Sequence, residues 1–259
     1  MLRHFGDAAF FRNIYDETGL KITMNKEIFL NGMTELSADI TNEQTEKFAR
    51  YSSLLVEWNK KMNLTAVTDD DGISVKHFLD SVLPIYHTDL NKCRTIADVG
   101  TGAGFPGMPL RLLEPDFDLT LLDSLGKRVA FLQEVCNAMA LQRVTCVHAR
   151  AEEFAAQERE RFDLAVSRAV APLNVLCELS LPLVRVGGSF LAMKSVDCAE
   201  ELQSAKSAIS QLGGQLEGCE DYTIPGTDVT HRVVRIRKVR PTPKTFPRAF
   251  AKIKKNPLR

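Results

Sequence analysis

The residues with the most chemistry in them lie in one run, Ala97-Asp98-Val99-Gly100-Thr101-Gly102-Ala103-Gly104-Phe105-Pro106-Gly107. Glycine accepts positive φ and lets a ligand approach the backbone closely. Gly102-x-Gly104-x-x-Gly107 has the dinucleotide-binding spacing, a pattern of low specificity unless a strand precedes it and a helix follows. No Gly-Lys-Ser/Thr step comes after it, which excludes a phosphate-cradling Walker loop. Asp123 stands 21 residues after Gly102, in Leu121-Leu122-Asp123. A carboxylate there can accept both hydroxyls of an adenosine ribose; its structural alternative is a helix cap for Ser124 onward. Two cofactors compete for such a loop. A nicotinamide dinucleotide needs its pyrophosphate at the following helix N-terminus. S-adenosyl-L-methionine carries no phosphate and needs acceptors for its amino group. Asp98 puts negative charge at the start of the loop, which repels a pyrophosphate and suits an ammonium or a sulfonium. The sequence therefore favours S-adenosyl-L-methionine, contacted by Asp98, Gly102, Gly104 and Asp123.

These residues need a strand before the loop and a helix after it, and the pattern supplies both. From residue 94 short apolar runs alternate with amphipathic stretches. The runs are Thr95–Val99, Leu119–Leu122, Val144–Val147, Leu164–Val166 and Ser189–Met193. Helical stretches between them include Leu125–Ala140 and Pro172–Val184. That alternation predicts βαβ units and a parallel sheet covered on both faces. Gln215–Tyr222 and Arg232–Val239 predict two more strands, joined through Pro225-Gly226 as an edge hairpin. Upstream, Thr41-x-x-Gln44 is a capping-box pattern, followed by Phe48, Tyr51, Leu54, Leu55 and Trp58 at helical spacing. Asn63–Asp71 reads as a polar loop and Ile73–Tyr86 as a further helix. Residues 1–23 lack periodicity, and Met24-Asn25-Lys26 offers a second plausible start. The expected organisation is an extension, mobile or peripheral, over 1–35, a helical region over 36–92, a catalytic domain over 93–240 and a basic tail over 241–259.

The chain has 259 residues, 44% apolar and 25% charged, enough for a full core without disulfide or metal staples. No apolar run approaches the roughly 18 residues that a membrane span requires, and the N-terminus has no signal-peptide pattern. Six cysteines form no Cys-x-x-Cys pair and no zinc spacing. A cytoplasmic monomer without disulfides, metal or membrane is expected. The formal net charge is zero but uneven. Between His231 and Arg259 there are eleven Lys/Arg and no acid, leaving 22 basic against 33 acidic residues before it. A basic end on an acidic body predicts a polyanionic partner. Arg232, Arg235 and Arg237 are expected to share one strand face, followed by Arg240, Lys244, Arg248, Lys252, Lys254 and Lys255 with Phe246 and Phe250 interleaved. Basic residues neutralise phosphates and aromatics stack on bases, so these positions are the candidate RNA grip.

The run IADVGTGAGFPGMPLRLLEPDFDLTLLDSLGKRVAFLQEV resembles the bacterial RsmG (GidB) family of small-subunit ribosomal RNA guanine-N7 methyltransferases. EWNKKMNLTAVTD and VKHFLDSV upstream, and FDLAVSRAVAPL and KKNPL downstream, extend the likeness over roughly residues 36–259. The resemblance implies an α/β, Rossmann-like class I S-adenosylmethionine-dependent methyltransferase fold with a helical N-terminal extension. It implies S-adenosyl-L-methionine as cofactor and small-subunit rRNA or the ribosomal subunit as partner. Carried over residue by residue, it implies cofactor contacts from Gly100 and Phe105, from Asp123 and Ser124 at the ribose, from Ala151 and Glu152 at the adenine, and from Arg168. The tail departs from the Gly-x-Pro step that many members carry; Pro247-Arg248-Ala249-Phe250-Ala251-Lys252 stands there instead.

Guanine N7 has an in-plane lone pair and carries no proton, so its methylation needs no general base, and no catalytic base is assigned. The segment after the fourth strand lacks the Asn/Asp-Pro-Pro-aromatic motif of amino-group methylation, which agrees. Arg168 has three readings: a cofactor contact, a phosphate contact, or an ion pair with a helix acid. His77 is either an acid–base residue or a hydrogen-bonded helix histidine. Asn59, Lys60 and Asn63 either touch RNA or solvate a helix end. Two other functions share the same loop: an NAD-dependent oxidoreductase and a non-catalytic rRNA-binding assembly factor.

Overall fold

The computed structural model describes residues 21, 23–84, 88–114, 116–168 and 171–258. Residues 1–20 of the expected extension and Tyr86, the expected end of a helix, lie outside them. The five apolar runs become β1 (Thr95–Val99), β2 (Asp118–Asp123), β3 (Val144–His148), β4 (Phe162–Arg168) and β5 (Val184–Ser195). The expected hairpin is β6 (Gly214–Thr223) and β7 (Thr230–Lys238), paired antiparallel. All seven form one sheet in the order β3-β2-β1-β4-β5-β7-β6, with β1 to β5 parallel and β7 antiparallel to β5. The order in which strands are added reverses between β1 and β4, and ligands bind beyond the carboxyl ends of strands at such a switch point.

Two layers of helix cover the sheet. One face carries Ile96, Leu119, Leu121, Leu164, Val166, Leu191, Met193 and Val233 in the largest apolar cluster. Against it pack α1 (Lys26–Glu35), α2 (Asn42–Met62), α5 (Gly107–Leu113) and α6 (Gly126–Ala138), together with a continuous helical stretch. That stretch runs from α3 (Asp70–Gly72) through a π-helical segment, Ile73–Leu79, into α4 (Asp80–Val82). The opposite face, with Ala97, Val99, Ala165, Phe190, Ala192, Val234 and Ile236, is covered by α7 (Ala151–Gln157), α8 (Leu173–Ser180), α9 (Ala199–Gln211) and α10 (Phe250–Lys255). Among the described residues no helix is long and apolar enough to cross a membrane.

The capping box of α2 forms as its sequence dictates, with Thr41 Oγ1 accepting from Gln44 N and Gln44 Oε1 accepting from Thr41 N. Two boundaries move. The Asn63–Asp71 loop is shorter than expected, because Asp69 accepts from Gly72 N at 2.7 Å and starts the helix at Asp70. The extension cannot run to residue 35. Asn25 caps α1, and Phe29 and Met33 are fully buried. Phe29, Phe48 and Phe78 then pack ring to ring, with centroids 4.6–6.0 Å apart. Tyr51 continues this row to Phe105 at 5.5 Å and donates its hydroxyl proton to the Ala103 carbonyl. One apolar core therefore crosses the sequence boundary at residue 92, and the N-terminal helices brace the glycine loop directly.

Candidate functional site

The glycine loop leaves β1 at the switch point and turns back into α5. Gly100 N and Thr101 N both donate to the Leu122 carbonyl, at 2.9 and 3.0 Å. Gly102 has φ +62°, and a Cβ there would meet nothing within 4 Å, so the loop is open on its outer side. Gly104 has φ +105°, and a Cβ there would strike the Tyr51 hydroxyl. The first glycine leaves room for a ligand; the second leaves room for the N-terminal helix.

Asp98 is fully buried beneath the loop. Its Oδ2 accepts from Thr101 Oγ1 at 2.7 Å and from Gly107 N at 2.8 Å, and Oδ1 has no partner. Burial pushes its carboxyl up to about 6, against the hydrogen bonds from Thr101 and Gly107. Asp123, at the end of β2, is 4% exposed. Its Oδ2 accepts from Gly102 N at 3.0 Å and Arg128 Nη1 at 3.3 Å, and its Oδ1 from Leu125 N at 2.9 Å. It therefore ties the loop to β2 and turns the chain toward α6, beside whatever it does for a ligand.

Two hollows open on either side of Asp123. The larger, about 530 Å³, is lined by Gly100, Gly102, Phe105, Asp123, Ser124 and Arg168, with Leu64, Thr65, His77 and Arg128 among the rest of the wall. The smaller, about 140 Å³, shares Gly100, Asp123 and Ser124 and adds Ala151, Glu152, Leu179 and Phe250. Eight of the ten cofactor candidates thus line one hollow or both. Asp98 and Gly104 line neither: Asp98 Oδ2 accepts from the loop's own donors, and Gly104 faces Tyr51.

Arg168 realises the ion-pair reading. Its Nη1 donates to Asp80 Oδ2 at 2.9 Å, to the Lys76 carbonyl at 3.0 Å and to Ser81 Oγ at 3.1 Å. Its guanidinium lies 5.0 Å from the Phe105 ring centroid. Asp80 is 2% exposed and also accepts from Tyr222 Oη at 2.9 Å and His231 Nδ1 at 2.8 Å. Burial pushes the Asp80 carboxyl up, but the His231 hydrogen bond and the Arg168 charge outweigh it and hold the group below the usual carboxylate range. Asp80 so joins helix, sheet and hairpin. Its place in VKHFLDSV was visible in the sequence, but its partners lie 88 to 151 residues away. His77 is stacked on Phe105, centroids 4.4 Å apart and planes at 13°. Burial, then the Arg168 charge, lowers its pKa to about 4. Asn59 accepts from Thr65 N at 2.9 Å, and Asn63 closes α2 in the left-handed conformation, which is the helix-end reading of both.

A family model described as rRNA small subunit methyltransferase G matches residues 44–225. The chain belongs to the rRNA small subunit methyltransferase G family. It is 46% identical over 223 residues to the member from Clostridium perfringens, covering 85% of this chain and 93% of that protein. It is also 46% identical over 237 residues to the member from Alkaliphilus metalliredigens, covering 91% and 99%. Among solved structures it is similar to precorrin-6y C5,15-methyltransferase from Geobacter metallireducens, with TM-score 0.48, 14% identity, and coverage of 61% of this chain and 87% of that one.

In this member of the rRNA methyltransferase G family the basic C-terminal residues are not one surface. Side chains alternate along a strand, so the three-residue step from Arg232 to Arg235 puts them on opposite faces. Arg232 is opposite Lys194 in register and Arg235 opposite Leu191, which corrects the expectation of one shared face. Arg232 pairs with Asp221, and Arg235 with Glu217 and Glu220. Arg237 and Arg240 donate to Ser189 Oγ and the Ser210 carbonyl. Ser189 lies on β5 away from the Met193 end that pairs with Arg168, so Arg237 sits far from the hollows. Arg248 is held by Glu178. Lys244, Lys252, Lys254 and Lys255 are exposed.

Proposed function

We propose that this chain transfers a methyl group from S-adenosyl-L-methionine to N7 of a guanine in small-subunit rRNA. The observation that carries the cofactor is the capping of α5. Gly107 N, the first amide of that helix, is taken by Asp98 at 2.8 Å, so the donor that a dinucleotide pyrophosphate requires is already spent. The open outer side of Gly102 and the paired hollows astride Asp123 fit a nucleoside with an amino-acid arm. Gly100, Gly102, Ser124 and Arg168 would hold the arm, Asp123 the ribose, and Ala151 and Glu152 the adenine. A carboxylate offers about four acceptor sites; with three donors already on Asp123, the long, half-exposed Arg128 contact is the one that gives way. When bound, the cofactor supplies an electrophilic methyl on a sulfonium.

The site's acid–base character supports a ring nitrogen as acceptor. His77 is neutral near pH 7, and Asp80 and Asp123 are held by arginines. With its pKa lowered to about 4, His77 is a weak proton acceptor, and N7 has no proton to give. What these residues do is orient. The Tyr51–Phe105–His77 stack and the Arg168–Asp80 pair fix one wall of the hollow. Good orientation of reactants is worth on the order of 7–11 kcal/mol. Beyond Arg168 a third hollow of about 370 Å³ has exposed Lys76 in its wall, while its Lys194 and His231 are taken by Glu201 and Asp80. With Lys252, Lys254 and Lys255, Lys76 forms the RNA grip we favour.

Radiolabelled S-adenosyl-L-methionine incubated with unmodified small-subunit RNA tests the reading. Label in the RNA, and stabilisation of the chain by S-adenosylhomocysteine but not NADH, are the expected results. Stabilisation by NADH alone would indicate an oxidoreductase, and RNA binding without label an assembly factor.

A further inference from the structure

The segment after β7 does not trail into solvent. Arg159 donates to the carbonyls of Thr242, Pro243 and Phe246, and Glu160 accepts from Thr242 N at 2.7 Å. Arg248 makes a two-pronged pair with Glu178, at 2.7 and 2.6 Å, and Glu178 is fully buried. Ile253 is also fully buried, in a cluster with Ala97, Val99, Ala155 and Leu179. Asn174 Nδ2 then donates to the Leu258 carbonyl at 2.8 Å. Residues 242–258 are a strap laid across α7 and α8.

The strap passes the smaller hollow at Phe250. Phe250 lines it, and is its one described lining residue from beyond β5. The others come from β1, the glycine loop, β2, the turns after β2 and β3, and α7 and α8. The Arg150 guanidinium lies over the Phe250 ring, 5.8 Å from its centroid, and Arg150 lines the same hollow. The remaining wall is apolar at Val99, Leu122 and Leu179 and polar at Glu152. Such a hollow suits a flat heteroaromatic ring with polar edges, and an aromatic side chain on one face adds stacking.

We propose that the C-terminal strap is part of the cofactor site: Phe250 closes the adenine end, and strap docking and adenine-nucleoside binding stabilise each other. This rests on the cofactor reading above. Linkage makes the coupling reciprocal: whatever factor the docked strap adds to affinity, bound nucleoside adds to docking. The basic residues of the strap follow from the same geometry. Arg248 anchors it, and Lys252, Lys254 and Lys255 ride on the short helix that carries Phe250.

Two measurements on the full chain test this, with S-adenosylhomocysteine as probe. Calorimetric titration should give roughly tenfold weaker binding to Phe250→Ala, with stacking on Phe250→Tyr retaining most of the affinity. Trypsin should cut the unmodified chain at Arg248, Lys252, Lys254 or Lys255 several-fold more slowly with the probe bound. Equal affinity of wild type and a folded Phe250→Ala, or no protection of the strap in the unmodified chain, overturns the proposal. The protection measurement needs no variant and stands even if Phe250→Ala fails to fold. A wild-type chain that does not bind the probe overturns the cofactor reading itself, and the strap's role with it.

Discussion

The loop at residues 98–107 and the strap at residues 242–258 both reach the hollows astride Asp123, and they hold their shapes by different means. The loop is local. Asp98 grips Thr101 and Gly107 three and nine residues on, and glycines supply the positive φ that its turns require. The strap is held from afar, by Arg159, Glu160, Asn174 and Glu178, 70 to 87 residues back in the chain. In the loop, residue type announces the task. In the strap an arginine looks the same whether it faces a phosphate or a buried glutamate. A charge in a sequence identifies its partner only when that partner is close along the chain.

The largest expected effect is on the strap's anchor. Arg248→Ala leaves Glu178 buried without its cation, and breaking such a pair costs about 3–5 kcal/mol. Urea unfolding measures it, and an apolar replacement of both residues should recover most of the loss. Next comes the loop. Gly104→Ala meets both an unfavourable φ and Tyr51, for a loss of roughly 1–3 kcal/mol. Gly102→Ala meets open space, so about 1–2 kcal/mol of left-handed strain is its stability cost and weaker S-adenosylhomocysteine binding its main phenotype. Equal binding by that variant would remove the ligand from the outer side of the loop.

Smaller effects separate anchoring cations from RNA-facing ones. Lys254→Glu should change stability by no more than about 0.5 kcal/mol, yet make the salt dependence of RNA binding shallower by about 0.7 in slope for each phosphate contact removed. Arg235→Ala should leave that slope alone, since Arg235 faces Glu217 and Glu220. The smallest effect is at His231. The hydrogen bond to Asp80 raises its pKa above 6.5, against partial burial and the Arg168 charge. The folded chain then keeps a proton that the unfolded chain releases. This stabilisation is complete below pH 6.5 and is lost as pH rises through the raised value. Thermal midpoints of His231→Ala should accordingly depend less on pH above 6.5 than those of the unmodified chain.

Much of the fold was legible because its signals are local. Five apolar runs with helical stretches between them specify a parallel sheet, and Thr41 with Gln44 marks a helix start to the residue. The glycine loop and Asp123 were legible for the same reason. Four features were not. Asp80 gathers Arg168, His231 and Tyr222 from three distant elements, and periodicity carries no record of that. Asp98 bore the right charge for excluding a pyrophosphate, but the sequence did not show that its Oδ2 is taken by Thr101 and by Gly107 N at the start of α5. Arg232 was assigned to the wrong face because a three-residue step in a strand reverses side-chain direction. α1 resembled an extension because it contributes only Phe29, Gly32 and Met33 to the buried set, too few for a pattern.

Reduction of the RNA with borohydride and cleavage with aniline, after incubation with this chain and S-adenosyl-L-methionine, tests the central claim most directly. N7-methylguanine breaks under that treatment, so one new cleavage in small-subunit RNA, dependent on cofactor and chain, is the predicted result. Incorporated methyl without any new cleavage would contradict it and place the methyl on another atom.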